Sequence, residues 1–434
     1  MHTILEQETE MMVTEQAGTP GTRALEAGAA RPAKSPTLTL LFLVGCVALL
    51  MTGFAIIMPV FPERLHALGL GAETLALMEG AFGLGMFLLS TPMGTWAGRI
   101  GRKPILFISL AGFIGTNLVL AFVNVPFIFI LIRFVEGMLI SGMMPAALAM
   151  VGDTVPTEKQ GRWIGFITTA QATGIALGPG IGGVLVQALG FTSPFLFSAG
   201  IALLASLLAI VLVPETLPEH VRAEARAQRK LGKAGVKMNR DARLVRLIWL
   251  FAPFLLIDFG LLFTYPFVFP QYPFFFEKVL HYSPAQYGMI ISVFGLAMAV
   301  SPLVLGRVGE MLPKKPVIVA GSLLFGALNI CMVVAPSYPL LLAGAALTGL
   351  GSALAEPALG GIYLSATSDA NRGKVMGMRG SALSLAVMLG PLAQALVGPW
   401  IGPQITFALG MVLSLVMAAI AFFLIKRPAG TNEL

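Results

Sequence analysis

The chain has 434 residues, of which 56% are hydrophobic and only 11% charged, whereas an average soluble protein carries about 25% charged residues. That composition excludes a soluble globule. The net charge of +7 comes from basic residues spread over many short polar segments rather than one stripe, so it points to anionic headgroups and away from nucleic acid.

Residues 1–37, rich in Glu, Thr, Ala and Gly, lack the features of a signal peptide and read as a disordered cytosolic tail. Crossing a ~30 Å hydrocarbon layer takes roughly 20 helical residues. Apolar runs of that order follow at 38–61, 73–97, 104–124, 126–152, 163–190 and 194–213, then at 247–274, 285–306, 316–336, 338–366, 376–400 and 403–425. In lipid every backbone polar group needs an internal partner, so such runs are helices; barrel strands would be shorter and alternate in polarity. The expected fold is an all-α membrane protein with 12 transmembrane helices, six in 38–213 and six in 247–425. A linker at 214–246 carries nine Lys and Arg between Arg222 and Arg246, and a tail spans 426–434.

Of the 28 Lys and Arg, 24 fall on the side of both termini and the linker, and only Arg64 and Lys278 on the other. The positive-inside rule therefore places both termini in the cytoplasm. Sliding the sequence by 212 residues aligns Lys103-Pro104 with Lys315-Pro316, Asn117 with Asn329, Gly137 with Gly349, Pro145 with Pro357 and Gly178-Pro179 with Gly390-Pro391. The halves are duplicates separated by an even number of spans, related by an axis along the membrane normal, with the substrate pathway expected between them.

Two stretches stand out. The turn after the second span reads Gly94-Thr-Trp-Ala-Gly98-Arg99-Ile-Gly101-Arg102-Lys103-Pro104. Its glycines allow a tight connection and its basic residues can bond carbonyls at a helix C-terminus, which makes it a candidate gating loop. The fifth span carries Gly174, Gly178, Pro179, Gly182 and Gly183. Glycines every four residues let a neighbouring backbone pack in contact, and Pro179 adds a kink or hinge.

With these motifs the chain resembles the major facilitator superfamily, and within it the twelve-helix drug:proton antiporter group. The turn at 94–104 is similar to the loop signature, Arg133-Phe-Val-Glu136-Gly137 to the fourth-helix signature, and 174–183 to the antiporter signature. The resemblance covers about 38–425 and implies two pseudo-symmetric six-helix bundles, alternating access and a bacterial inner-membrane location. It departs at Gly98, where the signature has an acid that helps lock the cytosolic side; Asp153 is a possible substitute. It departs again in the first span, which has no acid in its body.

Ionisable groups inside a span are costly, so each is a functional candidate. Arg133 and Glu136, three apart on one helix face, can pair; Glu79 lies shallower in the second span. Asp258 and Glu356 belong to spans that line the cavity in the resembled family, and a carboxylate in a partly dry cavity gains proton affinity. Arg379, in the span next to Glu356, is its expected partner. Asp258, Glu356, Glu136, Arg133 and Arg379 are thus the proton-coupling candidates. Phe259 and Phe263, with Asp258 and Glu356, are the substrate-binding candidates; the seventh span's three prolines after Tyr265 predict an irregular outer half.

Cys46 and Cys331 read as core residues, and the four histidines are scattered, so no metal or cofactor is expected. No nucleophile-base pair or phosphate loop argues for an enzyme. The expected partners are a small-molecule substrate, protons and the lipid bilayer, for a monomer. The resemblance implies a proton-coupled antiporter exporting small lipophilic compounds; the alternative is an exporter or flippase of a specific lipid, sugar or metabolite.

Overall fold

The computed structural model describes residues 36–217, 219, 242–365 and 369–425. The tail expected at 1–37, save its last two residues, most of the basic linker and 426–434 lie outside the described residues. The first half comprises α1 (Pro36–Ile56) and α2 (Val60–Ala67), α3 (Ala72–Ile100), α4 (Arg102–Phe122), α5 (Pro126–Ile140) and α6 (Met143–Thr154), α7 (Thr157–Leu189) and α8 (Thr192–Leu212). The second comprises α9 (Ala242–Val268) and α10 (Gln271–Lys278), α11 (Pro284–Met311), α12 (Lys314–Phe325) and α13 (Ala327–Val334), α14 (Tyr338–Ser365) and α15 (Asp369–Leu424). Helix α9 starts at Ala242, inside the linker expected to run to 246.

Among the described residues, 11 helical stretches are long and apolar enough to cross a membrane, the last of them Val375–Leu424, 50 residues long. At 1.5 Å per residue that stretch would reach about 75 Å, more than twice a hydrocarbon layer. Gly402, at φ 69° and ψ 177°, breaks it into two arms, which are the eleventh and twelfth crossings. The break falls between the spans expected at 376–400 and 403–425. Even-numbered crossings return the chain to the side it left, here the terminal face; the other is the far face.

Local chemistry explains the other interruptions. The seventh crossing breaks at Pro270, whose ring cannot donate to the ladder, as its prolines predicted. Gly101, at φ 120°, turns the chain between α3 and α4. On the far face Arg64 is buried, and it donates to Leu120 O, Val123 O and Asn124 Oδ1, closing the C-terminal end of α4 where carbonyls lack helical partners. Large apolar side chains such as Trp249, Leu396 and Trp400 are exposed on the outside of the bundle. Lipid is the medium that satisfies so apolar a surface.

The duplication is visible in the packing. Gly137 lies against the carbonyl of Phe82, and 212 residues further on Gly349 lies against the carbonyl of Phe294. Each half has its own core, one gathered around Leu50, Phe113 and Phe195, the other around Phe276, Phe407 and Leu359. Where the halves meet, backbone touches backbone. A Cβ at Gly83 would stand 2.8 Å from Met388 Cα, one at Gly295 2.6 Å from Ala176 Cα, and one at Gly183 2.8 Å from Ala285 Cα. These contacts lie in the far-side half of α3, α7, α11 and α15.

Candidate functional site

The fourth and second crossings hold a buried charge cluster. Gly137 has no side chain to keep α5 away from Phe82 on α3, and that approach brings Arg133 to the acid on the neighbouring helix. Arg133 Nη1 donates to Glu136 Oε2 at 2.9 Å and Nη2 to Glu79 Oε1 at 2.7 Å. The guanidinium lies 4.4 Å from the ring centroid of Phe82, with Phe54 and Phe61 at 5.5 and 5.6 Å. Glu136 is fully buried, and its Oε1 has no hydrogen-bond partner among the described residues. The expected Arg133–Glu136 pair is therefore a triad with Glu79, one cation to two carboxylates.

The second half builds a comparable cluster at non-equivalent positions. Arg379 Nε donates to Asp258 Oδ2 at 2.9 Å and Nη2 to Asp258 Oδ1 at 3.2 Å. The expectation that Arg379 pairs with Glu356 is corrected here. α15 packs along α9, so the first arm of α15 faces the seventh crossing, and a fork-shaped guanidinium takes both oxygens of the carboxylate it meets. Glu356 instead accepts from Ser352 Oγ at 3.2 Å, one helical turn back, while sharing the electrostatic field of Arg379 and Asp258. Asp258 is buried, whereas Glu356 is exposed. Tyr363 places its ring 5.3 Å from the Arg379 guanidinium.

Phe259 and Phe263 start from the same helix. Their rings stack at 5.6 Å, and Phe263 stacks on Phe267 at 5.6 Å, giving a column with one ring per turn that leads from Asp258 toward the far face. Both Phe259 and Phe263 are half-buried.

At the terminal face the loop at 94–104 closes on two acids. Arg102 Nε donates to Asp153 at 3.1 Å, the acid anticipated as a substitute for the one absent at position 98. Glu215, which sequence reasoning missed, accepts from the backbone N–H of Arg102 at 2.9 Å and of Lys103 at 3.2 Å, where α4 begins and its first donors lack helical partners. Lys103 Nζ donates to Ile210 O at 2.7 Å, and Thr216 Oγ1 to Asp153 at 2.9 Å. The start of the linker is thus bound into the loop. Within the loop only Gly101 is sterically forced, by its positive φ and by the Glu215 carboxylate against it; Gly94 has open space, and Arg99 is exposed.

The glycine face of α7 meets the first crossing. A Cβ at Gly174 would stand 2.7 Å from Met51 Cβ, one at Gly178 2.8 Å from the carbonyl carbon of Ala55, and one at Gly182 would collide with Ile56 O. Gly183 turns the other way, toward Pro284 and Ala285 on α11, and the helix runs on through Pro179. One helix therefore packs on its own half with one edge and on the opposite half with the other.

The model of the Major Facilitator Superfamily matches residues 43–278 and 263–434. "Multidrug resistance protein 2" of Bacillus subtilis is 26% identical over 340 residues, covering 78% of this chain and 83% of that protein. "Quinolone resistance protein NorA" of Staphylococcus aureus is 24% identical over 371 residues, covering 85% and 92%. Among solved structures, a D-xylose-proton symporter superposes with TM-score 0.72 at 16% identity, covering 91% of this chain and 99% of that one. The human organic anion transporter MFSD10 (TETRAN) gives 0.66 at 21%, covering 89% and 100%. With the family match running through both six-helix halves, the chain belongs to the Major Facilitator Superfamily and is a multi-pass membrane transporter rather than an enzyme.

Proposed function

We propose that the protein is a proton-coupled antiporter that exports small lipophilic compounds by alternating access, with both termini in the cytoplasm of a bacterial cell. The observation that carries this reading is the pair of acid–arginine clusters inside the crossings, Glu79–Arg133–Glu136 and Asp258–Arg379 with Glu356. Intramembrane ions at this density are costly unless they do work. An exchanger needs carboxylates that are protonated from one side and release the proton to the other, with substrate favouring the deprotonated, inward-facing form. The relatives named for multidrug and quinolone resistance support a lipophilic cargo, and the stacked Phe259 and Phe263 beside Asp258 suit one. Residues 174–183 give the halves the close, small-residue contact that a rocking interface uses.

The test is transport by purified protein in liposomes under an imposed pH gradient, screened with lipophilic cations, neutral drugs and lipids. Uphill movement of a drug-like probe that collapses with the gradient supports the reading; movement of lipid alone, indifferent to pH, overturns it.

A further inference from the structure

Where the halves meet at the far face there is a half-open cavity of about 60 Å3. Pro59 and Pro62, around the joint of α1 and α2, form one wall, and residues of α10 and of the start of α11 form the other. Beside it His66 Nδ1 lies 2.8 Å from Glu277 Oε1, a contact that joins α2 of the first half to α10 of the second. The cavity is remote from the charge clusters. Glu277, which lines it, is 19 residues beyond Asp258 on the same crossing, about 28 Å by helical rise.

Its lining is rich in acceptors and poor in donors. Pro59, Pro62, Pro273 and Pro284 carry no backbone N–H. The backbone N–H of Ser283 donates to Gln286 Oε1, and the Tyr282 hydroxyl to Pro336 O, both outside the lining. What remains is the Glu277 carboxylate, the hydroxyls of Ser283 and Tyr287, and a group of rings. Phe276 has Tyr282 stacked at 6.1 Å and Tyr287 tilted at 5.4 Å. Tyr287 is 3% exposed, and its hydroxyl has no hydrogen-bond partner among the described residues. The arginine and lysine of these segments are engaged elsewhere: Arg64 with the carbonyls at the end of α4, Lys278 5.8 Å from the ring of Phe274.

A carboxylate, negative ring faces and proline hydrocarbon favour one kind of guest, a cation with an apolar body. An anion would be repelled by Glu277, and a neutral guest would gain nothing from it. A water needs about 10–15 Å3 of such space, and a dry cavity of about 150 Å3 holds benzene. The guest is therefore a head group of about three to five heavy atoms.

We propose that this far-face cavity is a site for a small alkylammonium ion, whose binding holds the two halves together on that face. The ion lies against prolines of the first half and against Glu277 and the rings of the second, so parting the halves there removes one wall. The clamp rests on the alternating-access reading above; the site itself does not.

Equilibrium binding of ethylammonium to the lipid-reconstituted protein, with ethanol as the neutral probe of the same size, tests the site. Ethylammonium should bind and ethanol should not. Glu277→Gln should weaken ethylammonium about fivefold or more, as loss of a partly exposed charge contact does. Tyr282→Leu should weaken it about two- to fivefold, by loss of a cation–π face. Glu356→Gln should leave it unchanged, since that acid belongs to the distant cluster. No binding, equal binding of ethanol, or unchanged binding by Glu277→Gln overturns the site, and loss with Glu356→Gln places the ion in the central cavity instead. Spin labels on the far-face ends of α2 and α10 test the clamp, with saturating ethylammonium expected to shift the distances toward the shorter population. Two populations that ethylammonium leaves unaltered overturn the clamp. A single distance under every condition, with binding intact, contradicts alternating access and the clamp with it, and leaves the site standing.

Discussion

Arg379 grips both oxygens of Asp258, at 2.9 and 3.2 Å, and so ties the eleventh crossing to the seventh across the second half. Asp258 is 3% exposed and Arg379 17%. Removing one partner of a buried pair leaves the other charge uncompensated, at a cost of about 3–5 kcal/mol. Arg379→Ala is therefore expected to lower the melting temperature clearly, and Asp258→Asn, which keeps the hydrogen-bonding shape and leaves uncompensated only the more exposed partner, to lower it less. Asp258→Asn should lose gradient-driven accumulation yet retain substrate binding or downhill exchange; wild-type uphill transport in Asp258→Asn would remove this carboxylate from the coupling.

The glycine face of α7 makes a steric prediction. Overpacking a tight contact costs about 1–3 kcal/mol, and each 1.36 kcal/mol is tenfold in rate if it falls on the transport barrier. Gly178→Leu and Gly182→Leu should insert into the membrane normally and transport about tenfold more slowly. Initial rates normalised to protein in the membrane check this, and unchanged rates in both would show that the glycines are only tolerated.

The inter-half contact at Gly83 predicts a conformational effect. A leucine there would push Met388 and its helix away, because the clashing atom is backbone rather than a movable side-chain tip. Gly83→Leu should widen the separation between spin labels on the far-face ends of α3 and the first arm of α15. An unaltered distance distribution would mean this contact does not hold the far face shut.

At the terminal face the two acids should differ. Glu215 satisfies backbone donors at a helix start, and losing such a cap costs about 0.5–2 kcal/mol. Asp153 pairs with a partly exposed arginine, worth about 0–1 kcal/mol. Thermal unfolding of Glu215→Ala and Asp153→Asn should rank Glu215 as the more damaging, and the reverse order would place the latch on Arg102–Asp153.

Much of this was legible in sequence because the bilayer imposes a length and a polarity on every crossing. The runs of apolar residues and the break before Pro403 followed from that constraint, and the duplication from the 212-residue register. The charge partners were less legible. Arg379 and Glu356 are on consecutive crossings, so adjacency in the chain suggested a pair, but the eleventh crossing faces the seventh. Glu79 is the shallower candidate in the sequence, and only the close approach of α5 to α3 at Gly137 puts it within reach of Arg133. Glu215 went unnoticed since a carboxylate that caps backbone donors 113 residues away leaves no local signal; its place just after the sixth span, beside the helix start it covers, was the available hint.

The most direct test of the account is simultaneous measurement of proton and probe movement in liposomes holding a single orientation of the protein. With a pH gradient as the only driving force, the account predicts that a lipophilic probe moves uphill as protons move down, that the two fluxes keep a fixed ratio, and that Asp258→Asn with Glu356→Gln abolishes both. Uphill transport by the double variant with unchanged proton flux, or probe movement in the wild type with no proton flux, would contradict it.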